Sequence, residues 1–220
     1  MNLAWPNLCL LCESPLIDGE RYICMNCLYE LPKTEFKSNR TNPAADRIYG
    51  KIPFEKVTAA YHYQKESKIQ SALELIKYKG EKELAEMLAS YAGTRLQTSG
   101  FFEGIDLIIP VPLHKEKEKK RGYNQSEWIA KGLSRASGIP YDTRHLKRMV
   151  KNTTQTNRNI WERWENAQGL FGLRNPEDLS GKHLLLVDDV LTSGSTLCAA
   201  AEPLLNTPET KLSFFALALA

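Results

Sequence analysis

Asp188 and Asp189 stand side by side and are closely followed by Thr192, Ser193, Gly194, Ser195 and Thr196. A hydroxyl-rich turn of this kind can aim side-chain and amide donors at an anion, and Gly194 lets the backbone approach closely. No lysine follows the glycine, which excludes the GxxxxGK[ST] nucleotide-triphosphate loop. Two carboxylates repel a bare phosphate, so they must face another part of the same ligand. Neighbouring ribose hydroxyls suit them, with a phosphate held by the turn. The plainer alternative is an acidic strand end followed by a capped helix.

A strand and a helix have to hold that turn. Leu184, Leu185, Leu186 and Val187 read as a strand buried on both faces. Beyond the turn, Leu197, Ala200, Ala201, Leu204 and Leu205 recur at helical spacing. The acids then lie at the carboxyl end of a buried strand, where ligands bind in open α/β sheets. Pro203 would remove a hydrogen bond and crowd the carbonyl of Ala199, so a kink or an early helix end is expected there.

A second set of chemically active residues lies near the N-terminus. Cys9 with Cys12, and Cys24 with Cys27, form two CxxC pairs. One tight turn brings each pair of thiolates to one ion, and two pairs complete a tetrahedral shell of four sulfurs. Unconnected thiols or a redox pair are the alternatives, but the double pattern fits structural zinc better. The segment holds too few apolar residues for a core of its own, so the metal is expected to hold it together. Structural zinc contributes about 10 kcal/mol or more in such small units. With four protein ligands, no position is left open for catalysis. Cys198 stands apart and reads as a small packed apolar residue.

The whole chain sets bounds on these sites. Its 220 residues have room for one good domain and a small appendage. A formal net charge of +3 allows an anionic ligand without demanding nucleic acid. There is no apolar run of about 18 residues, so no spanning helix is expected. Met1 to Leu11 has neither the basic start nor the apolar centre of a signal peptide, and a reducing, cytoplasmic location is the expectation.

Residues 33–55 are polar and read as a linker or irregular segment, and Val57 to Tyr63 as a strand. A helix opening near Ser67 carries Ile69, Ala72, Leu73 and Ile76 on one face and ends at Gly80, which suits a left-handed cap. Lys77 and Lys79 could complement that helix end or aim at a phosphate, and the spacing divides the two evenly. A second helix carries Leu84, Leu88, Tyr91, Ala92 and Leu96. Ile105 to Val111 reads as another buried strand, leaving through Pro110, Val111, Pro112 and Leu113 in an extended exit. The charged run Lys115 to Arg121 then reads as a cationic strand-end loop with Gly122 as a hinge, a reasonable place for pyrophosphate. A helix follows with Ile129, Leu133 and Ala136 on one side. Ile139 to Leu146 is expected to form a strand. Arg148 to Phe171 reads as a mobile lid with a short helix around Trp161 and Trp164, and Leu212 to Leu219 as a strand closing the sheet.

Taken in order, CxxC–CxxC, KYKG, IIPVP, KRGYNQ, the Gln155, Arg163, Asn166 and Phe171 spacing, and LLLVDDVLTSGST resemble the ComF family, whose members are often labelled amidophosphoribosyltransferases. The resemblance covers nearly the whole chain. It implies a type I phosphoribosyltransferase fold, an α/β fold with a mostly parallel sheet flanked by helices, and a small N-terminal four-cysteine zinc module. The implied division is a zinc module at 1–32, a linker or hood at 33–80 and a phosphoribosyltransferase-like core at 81–220, with the 57–63 strand a candidate to join the core. By resemblance, Asp188 and Asp189 hold the ribose hydroxyls of 5-phosphoribosyl-1-pyrophosphate (PRPP), with magnesium on the ligand. Thr192 to Thr196 hold its 5′-phosphate, and Pro110, Val111, Pro112 and Leu113 form the pyrophosphate loop. Lys77, Lys79, Arg121, Asn124, Gln125, Gln155, Arg163 and Asn166 are the auxiliary and flexible-loop candidates. Where the family usually has Arg-x-Arg-Gly-Phe-Asn-Gln, this chain has Lys119 and Tyr123 at the variable places. Lysine keeps the charge but loses the planar fork for phosphate.

Three functional readings follow. The first is transfer of a 5-phosphoribosyl group to an unidentified acceptor with release of pyrophosphate, in a competence or DNA-uptake setting. The second is PRPP sensing without catalysis, since such folds are reused for binding alone. The third is a DNA-handling protein with single-stranded DNA or competence machinery as partner, resting on the family's association with competence, the zinc module and the basic 115–121 run. No glutaminase segment with an N-terminal catalytic cysteine is expected, as residue 2 is Asn2. The acceptor and the oligomeric state are not encoded in any of these patterns.

Overall fold

The computed structural model describes residues 7–149 and 169–220. Along the chain, α1 (Met25–Glu30) and α2 (Pro43–Asp46) precede β1 (Lys56–His62), α3 (Lys68–Tyr78) and α4 (Lys82–Thr98). Next come β2 (Leu107–Pro110), α5 (Lys115–Arg121) and α6 (Gln125–Ser137), then the short strands β3 (Leu146–Arg148) and β4 (Phe171–Leu173). A 3-10 turn at Pro176–Leu179 leads into β5 (His183–Leu191), α7 (Ser195–Leu205) and β6 (Lys211–Leu219).

β1, β6, β5 and β2 lie side by side in that order, and every neighbouring pair is parallel. Parallel strands need crossover connections, which cover both faces of the sheet. Successive side chains of β5 serve opposite faces. Leu185 and Val187 pack with α3, α4 and α6, whereas Leu184 and Leu186 pack with α2 and α7. The unbroken apolar run of this strand is therefore a consequence of double burial. The architecture, a parallel sheet flanked by helices, is the α/β fold that the resemblance implies. β1 is hydrogen-bonded to β6 and so is part of the core sheet.

Several expectations need correction. Leu212 to Leu219 does not close the sheet but lies inside it, between β1 and β5. Its side chains are buried on both faces, because helices cover both sides of the sheet there. The charged run 115–121 is a helix rather than a loop. His114 caps it, Glu116 and Glu118 balance Lys115 and Lys117 in its first turn, and Lys119 to Arg121 in its last turn match the helix dipole. Gly122, with φ of 85°, is its left-handed cap rather than a hinge. Residues 139–146 do not form one strand. Tyr141 makes an isolated parallel bridge to Ile108, and Leu146 opens the separate antiparallel ribbon β3–β4. α7 neither ends nor breaks at Pro203, running on to Leu205, where the missing amide falls in the last turn. Within the polar 33–55 segment, Asn42 caps α2 through the amides of Ala44 and Ala45 and bonds the Val57 carbonyl of β1. The helix expected around Trp161 and Trp164 lies outside the described residues.

α4 and α6 cross on one face of the sheet with their backbones almost touching. A Cβ on Gly132 would lie 2.2 Å from the Glu86 carbonyl oxygen and 2.9 Å from the Ser90 amide nitrogen. Glu86, buried in this interface, pairs with Lys131 at 2.9 Å. α6 also carries the first residues of the site described below, so the crossing sets their depth. Gly132→Ala forces the two helix backbones apart. Urea unfolding should show a loss of about 1–3 kcal/mol for this variant, the usual cost of overpacking.

Candidate functional site

The chain order reverses between β2 and β5. From β2 the chain moves outward to Tyr141, and from β5 it moves the other way to β6. Such a reversal opens a crevice at the carboxyl ends of the strands. Asp188 and Asp189 lie near the carboxyl end of β5 in this crevice, just past its last pairing with β2 at Val187, and both are more than nine-tenths buried. Pro110 to Leu113 leave the end of β2 beside them, where the Val111 amide donates to the Val187 carbonyl at 2.9 Å.

Two adjacent carboxylates buried this deeply must find partners. Asp189 Oδ2 accepts from Gln125 Nε2 at 2.9 Å and pairs with Lys77 Nζ at 3.0 Å. Asp188 Oδ1 accepts from Ser126 Oγ at 3.1 Å and from the Asp189 amide at 2.9 Å. The first residues of α6 therefore serve both acids. Asn124 caps that helix through the Ser126 amide and donates to the Val111 carbonyl at 3.0 Å, tying the β2 exit to the same helix end. Arg121 donates to Gln125 Oε1 and lies over the Tyr78 ring, while the Tyr123 hydroxyl donates to the Ile76 carbonyl. KYKG and KRGYNQ, far apart in sequence, thus meet around Asp189. The two lysines of KYKG separate: Lys77 reaches into the site and Lys79 faces solvent.

The hydroxyl-rich turn lies just beyond. Thr192, Ser193, Ser195 and Thr196 are exposed, Ser193 and Ser195 share a hydrogen bond of 2.8 Å, and α7 begins at Ser195. The first amides of α7 have no carbonyl behind them, which leaves donors aimed outward. Gly194 has φ of 79°, and a Cβ there would lie 2.5 Å from the Arg47 carbonyl oxygen. Both the backbone angle and the close approach therefore require glycine. Lys51 Nζ fastens the turn from behind, donating to the Arg47 and Ser193 carbonyls at 2.8 and 2.7 Å.

On the β2 side, Pro110, Pro112 and Leu113 line a cavity of about 280 Å³ together with three cations, Lys115, Lys147 and Arg148, and two acids, Glu118 and Glu127. Arg148 stands over the Phe171 ring at 5.2 Å in the β3–β4 ribbon. The ends of the expected lid are thus anchored beside the crevice. Gln155, Arg163 and Asn166 lie outside the described residues. The residues that the sequence did not single out are Ser126, Lys51 and Arg148. Ser126 directly follows Gln125 in the first turn after the helix-capping Asn124 and could have been found as a first-turn hydroxyl. Lys51 sits in a segment without periodicity and gave no signal.

The cysteines form the second cluster. The sulfurs of Cys9, Cys12, Cys24 and Cys27 all lie within 4.8 Å of one another, and Cys12 and Cys24 are 3.7 Å apart. Zinc–sulfur bonds of about 2.3 Å give a tetrahedron with edges of about 3.8 Å. The Cys24 amide donates to Cys9 Sγ, the Cys27 amide to Cys24 Sγ, and Lys68 Nζ to Cys27 Sγ at 3.2 Å. The donor set and spacing fit a metal such as zinc. Cys9, Ile23, Cys27, Leu28 and Leu31 belong to the same apolar cluster as α3, α4 and α6. Cys198 lies on the buried face of α7, where burial pushes its thiol up to about 11.

Burial, and then the charge of Asp189, push the Asp188 carboxyl up from 3.8 to about 7, with the Asp189 amide and the Ser126 hydroxyl offsetting part of the rise. Between these values the folded protein keeps a proton that the unfolded chain has released. The stability linked to Asp188 is therefore complete below 3.8 and is lost as pH rises through about 7. Asp188→Asn should flatten this decline in the ligand-free protein, as read from urea midpoints across that window.

The phosphoribosyl transferase domain family matches residues 102–214, just over half of the chain and a span that includes the ends of both β2 and β5. The DNA utilization protein YhgH of Shigella flexneri is 27% identical over 215 residues, covering 93% of each chain. Competence protein ComFC of Bacillus subtilis is 26% identical over 200 residues, covering 91% of this chain and 72% of that one. Competence protein F of Haemophilus influenzae is 37% identical over 93 residues, 42% of this chain and 41% of that one. No helix among the described residues is long and apolar enough to cross a membrane. The domain match, the named relatives and the parallel sheet together place this chain in the ComF family of phosphoribosyltransferase-like proteins.

Proposed function

We propose that this protein binds PRPP and transfers its 5-phosphoribosyl group to an acceptor, releasing pyrophosphate. The observation that carries the reading is the buried Asp188–Asp189 pair, flanked by a hydroxyl-rich turn on one side and, on the other, a cavity where Lys115, Lys147 and Arg148 outnumber Glu118 and Glu127. The donor carries those features in the same order: 5′-phosphate, ribose diol, pyrophosphate. Thr192 to Thr196 and the first amides of α7 take the phosphate, and Lys51 keeps the turn in shape. Asp188 and Asp189 accept from the ribose hydroxyls. Pro110 to Leu113, with Lys115, Lys147 and Arg148, receive the pyrophosphate.

The reaction breaks the bond between C1 and the pyrophosphate oxygen, which leaves with the electron pair. A nucleophile on the acceptor forms the new bond to C1 and gives up its proton. Positive charge builds on the ribose at the transition state, and buried carboxylates positioned beforehand can stabilise it without reorganising. Magnesium, when bound with the donor, would neutralise charge on the pyrophosphate. Lys77 and Gln125 hold Asp189 in place before the ligand arrives, and Ser126 does the same for Asp188. Cys9, Cys12, Cys24 and Cys27 would hold zinc in a structural role. The names of the relatives suggest a competence or DNA-handling setting, and the solvent-facing cations of α5 offer a surface for such a partner.

Incubation with PRPP, magnesium and a panel of nitrogen nucleophiles should release pyrophosphate. Asp189→Asn should lower the rate on the order of 10²-fold or more, in line with removal of one transition-state stabiliser. A variant with undiminished release would overturn the assignment, and PRPP binding without turnover would mark a sensor. Elemental analysis should find about one zinc per chain, and less than about half would count against the four-thiolate site.

A further inference from the structure

A single helix touches both clusters. At the start of α3, Lys68 donates to Cys27 Sγ at 3.2 Å and pairs with Glu30. In its last turn, Lys77 pairs with Asp189 at 3.0 Å. At that same end, the Ile76 carbonyl accepts from Tyr123 and the Tyr78 ring lies beneath Arg121. Nine residues separate the two lysines, which is about two and a half helical turns and about 14 Å of axial rise. They therefore project to opposite sides of α3, flanking the buried stripe of Ile69, Ala72, Leu73 and Ile76. That stripe packs in the apolar cluster that also contains Cys9, Cys24 and Cys27.

This geometry has a mechanical consequence. An apolar stripe resists lifting a helix from its bed but resists a small roll or slide much less. The polar anchors on either flank set the roll angle. Four thiolates around a divalent ion leave two negative charges, and the Lys68 ammonium stands directly against one of those sulfurs. Without a metal, nothing draws the four sulfurs into one tetrahedron, and the seat that Cys27 and the half-exposed Glu30 give Lys68 is less firmly fixed. A roll of α3 that frees Lys68 moves Lys77, on the opposite flank, relative to Asp189.

We propose that α3 couples metal occupancy of the cysteine cluster to the ribose end of the PRPP site, with Lys68 and Lys77 as the two positioning residues. This rests on the PRPP reading of the Asp188–Asp189 crevice. A loaded cluster seats Lys68, and the helix then presents Lys77 and the Ile76 carbonyl to Asp189 and Tyr123. Coupling of this kind is reciprocal: if the metal tightens donor binding, the donor tightens metal binding by the same factor.

The test uses the full-length chain in three forms: zinc-loaded, zinc-depleted with a chelator, and zinc-loaded Lys68→Met. Circular dichroism confirms folding, and Lys68→Arg, which keeps the charge, serves as the conservative variant. Hydrogen exchange is read at residues 74–80 and 185–191. Faster exchange at 74–80 is expected in the depleted protein and in Lys68→Met, with Lys68→Arg close to wild type. PRPP with magnesium should bind about tenfold more weakly to the same two forms, within the usual range for coupled sites. Competition with a chelator should show PRPP tightening zinc binding by that factor. Exchange at 74–80 that is the same in Lys68→Met as in the zinc-loaded wild type would overturn the coupling. If zinc-loaded wild type takes up no PRPP, the donor assignment fails, while the exchange comparison still decides whether α3 links the two clusters.

Discussion

Everything around the crevice between β2 and β5 depends on keeping two adjacent carboxylates out of water. Burying one such group is costly, and burying two side by side adds repulsion. The fold answers with an ammonium, an amide, a hydroxyl and a backbone N–H, drawn from α3, from α6 and from β5 itself. None of these partners could be moved without moving a whole element. The site is therefore supported by the sheet and two helices rather than by loops, which suits a task of positioning.

The same economy appears at the close approaches. Gly132 lets α6 lie against the backbone of α4, so that its first turn reaches both acids. Gly194 lets the residues after α2 lie against the hydroxyl-rich turn, where Lys51 holds it. In both places a missing Cβ, rather than a functional group, is the residue's contribution. The cysteine cluster is not a separate appendage in energetic terms, because its apolar residues are part of the larger core. Its stability and that of the sheet face beneath it are shared.

Local chemistry was easy to read where a pattern had one physical solution. Four apolar residues before two acids form a buried strand, although the strand runs through the acids to Leu191, and two CxxC pairs converge as expected. Reading failed where a pattern had two solutions. A run of alternating charges makes a solvated loop or a solvated helix equally well, and 115–121 is a helix capped by His114 at its start and Gly122 at its end. An apolar β-capable stretch can sit at an edge or in the middle of a sheet. Strand order decided that for 212–219, and strand order is not a local property.

The sequence by itself determined the strand–turn–helix unit around Asp188 and Asp189 and the convergence of four cysteine sulfurs. These depend on neighbours within a few residues, so spacing alone encodes them. Only the tertiary structure decided that Lys77 and Gln125 serve Asp189, that Ser126 serves Asp188, and that Lys51 fastens the turn. Lys77 illustrates the reason. Its position at a helix end allowed a dipole role or a phosphate role, and burial of an acid over a hundred residues away supplied a third partner that no local pattern contains. The two carboxylates were legible as a pair from the start; what they required around them became visible only once the chain had folded back on them.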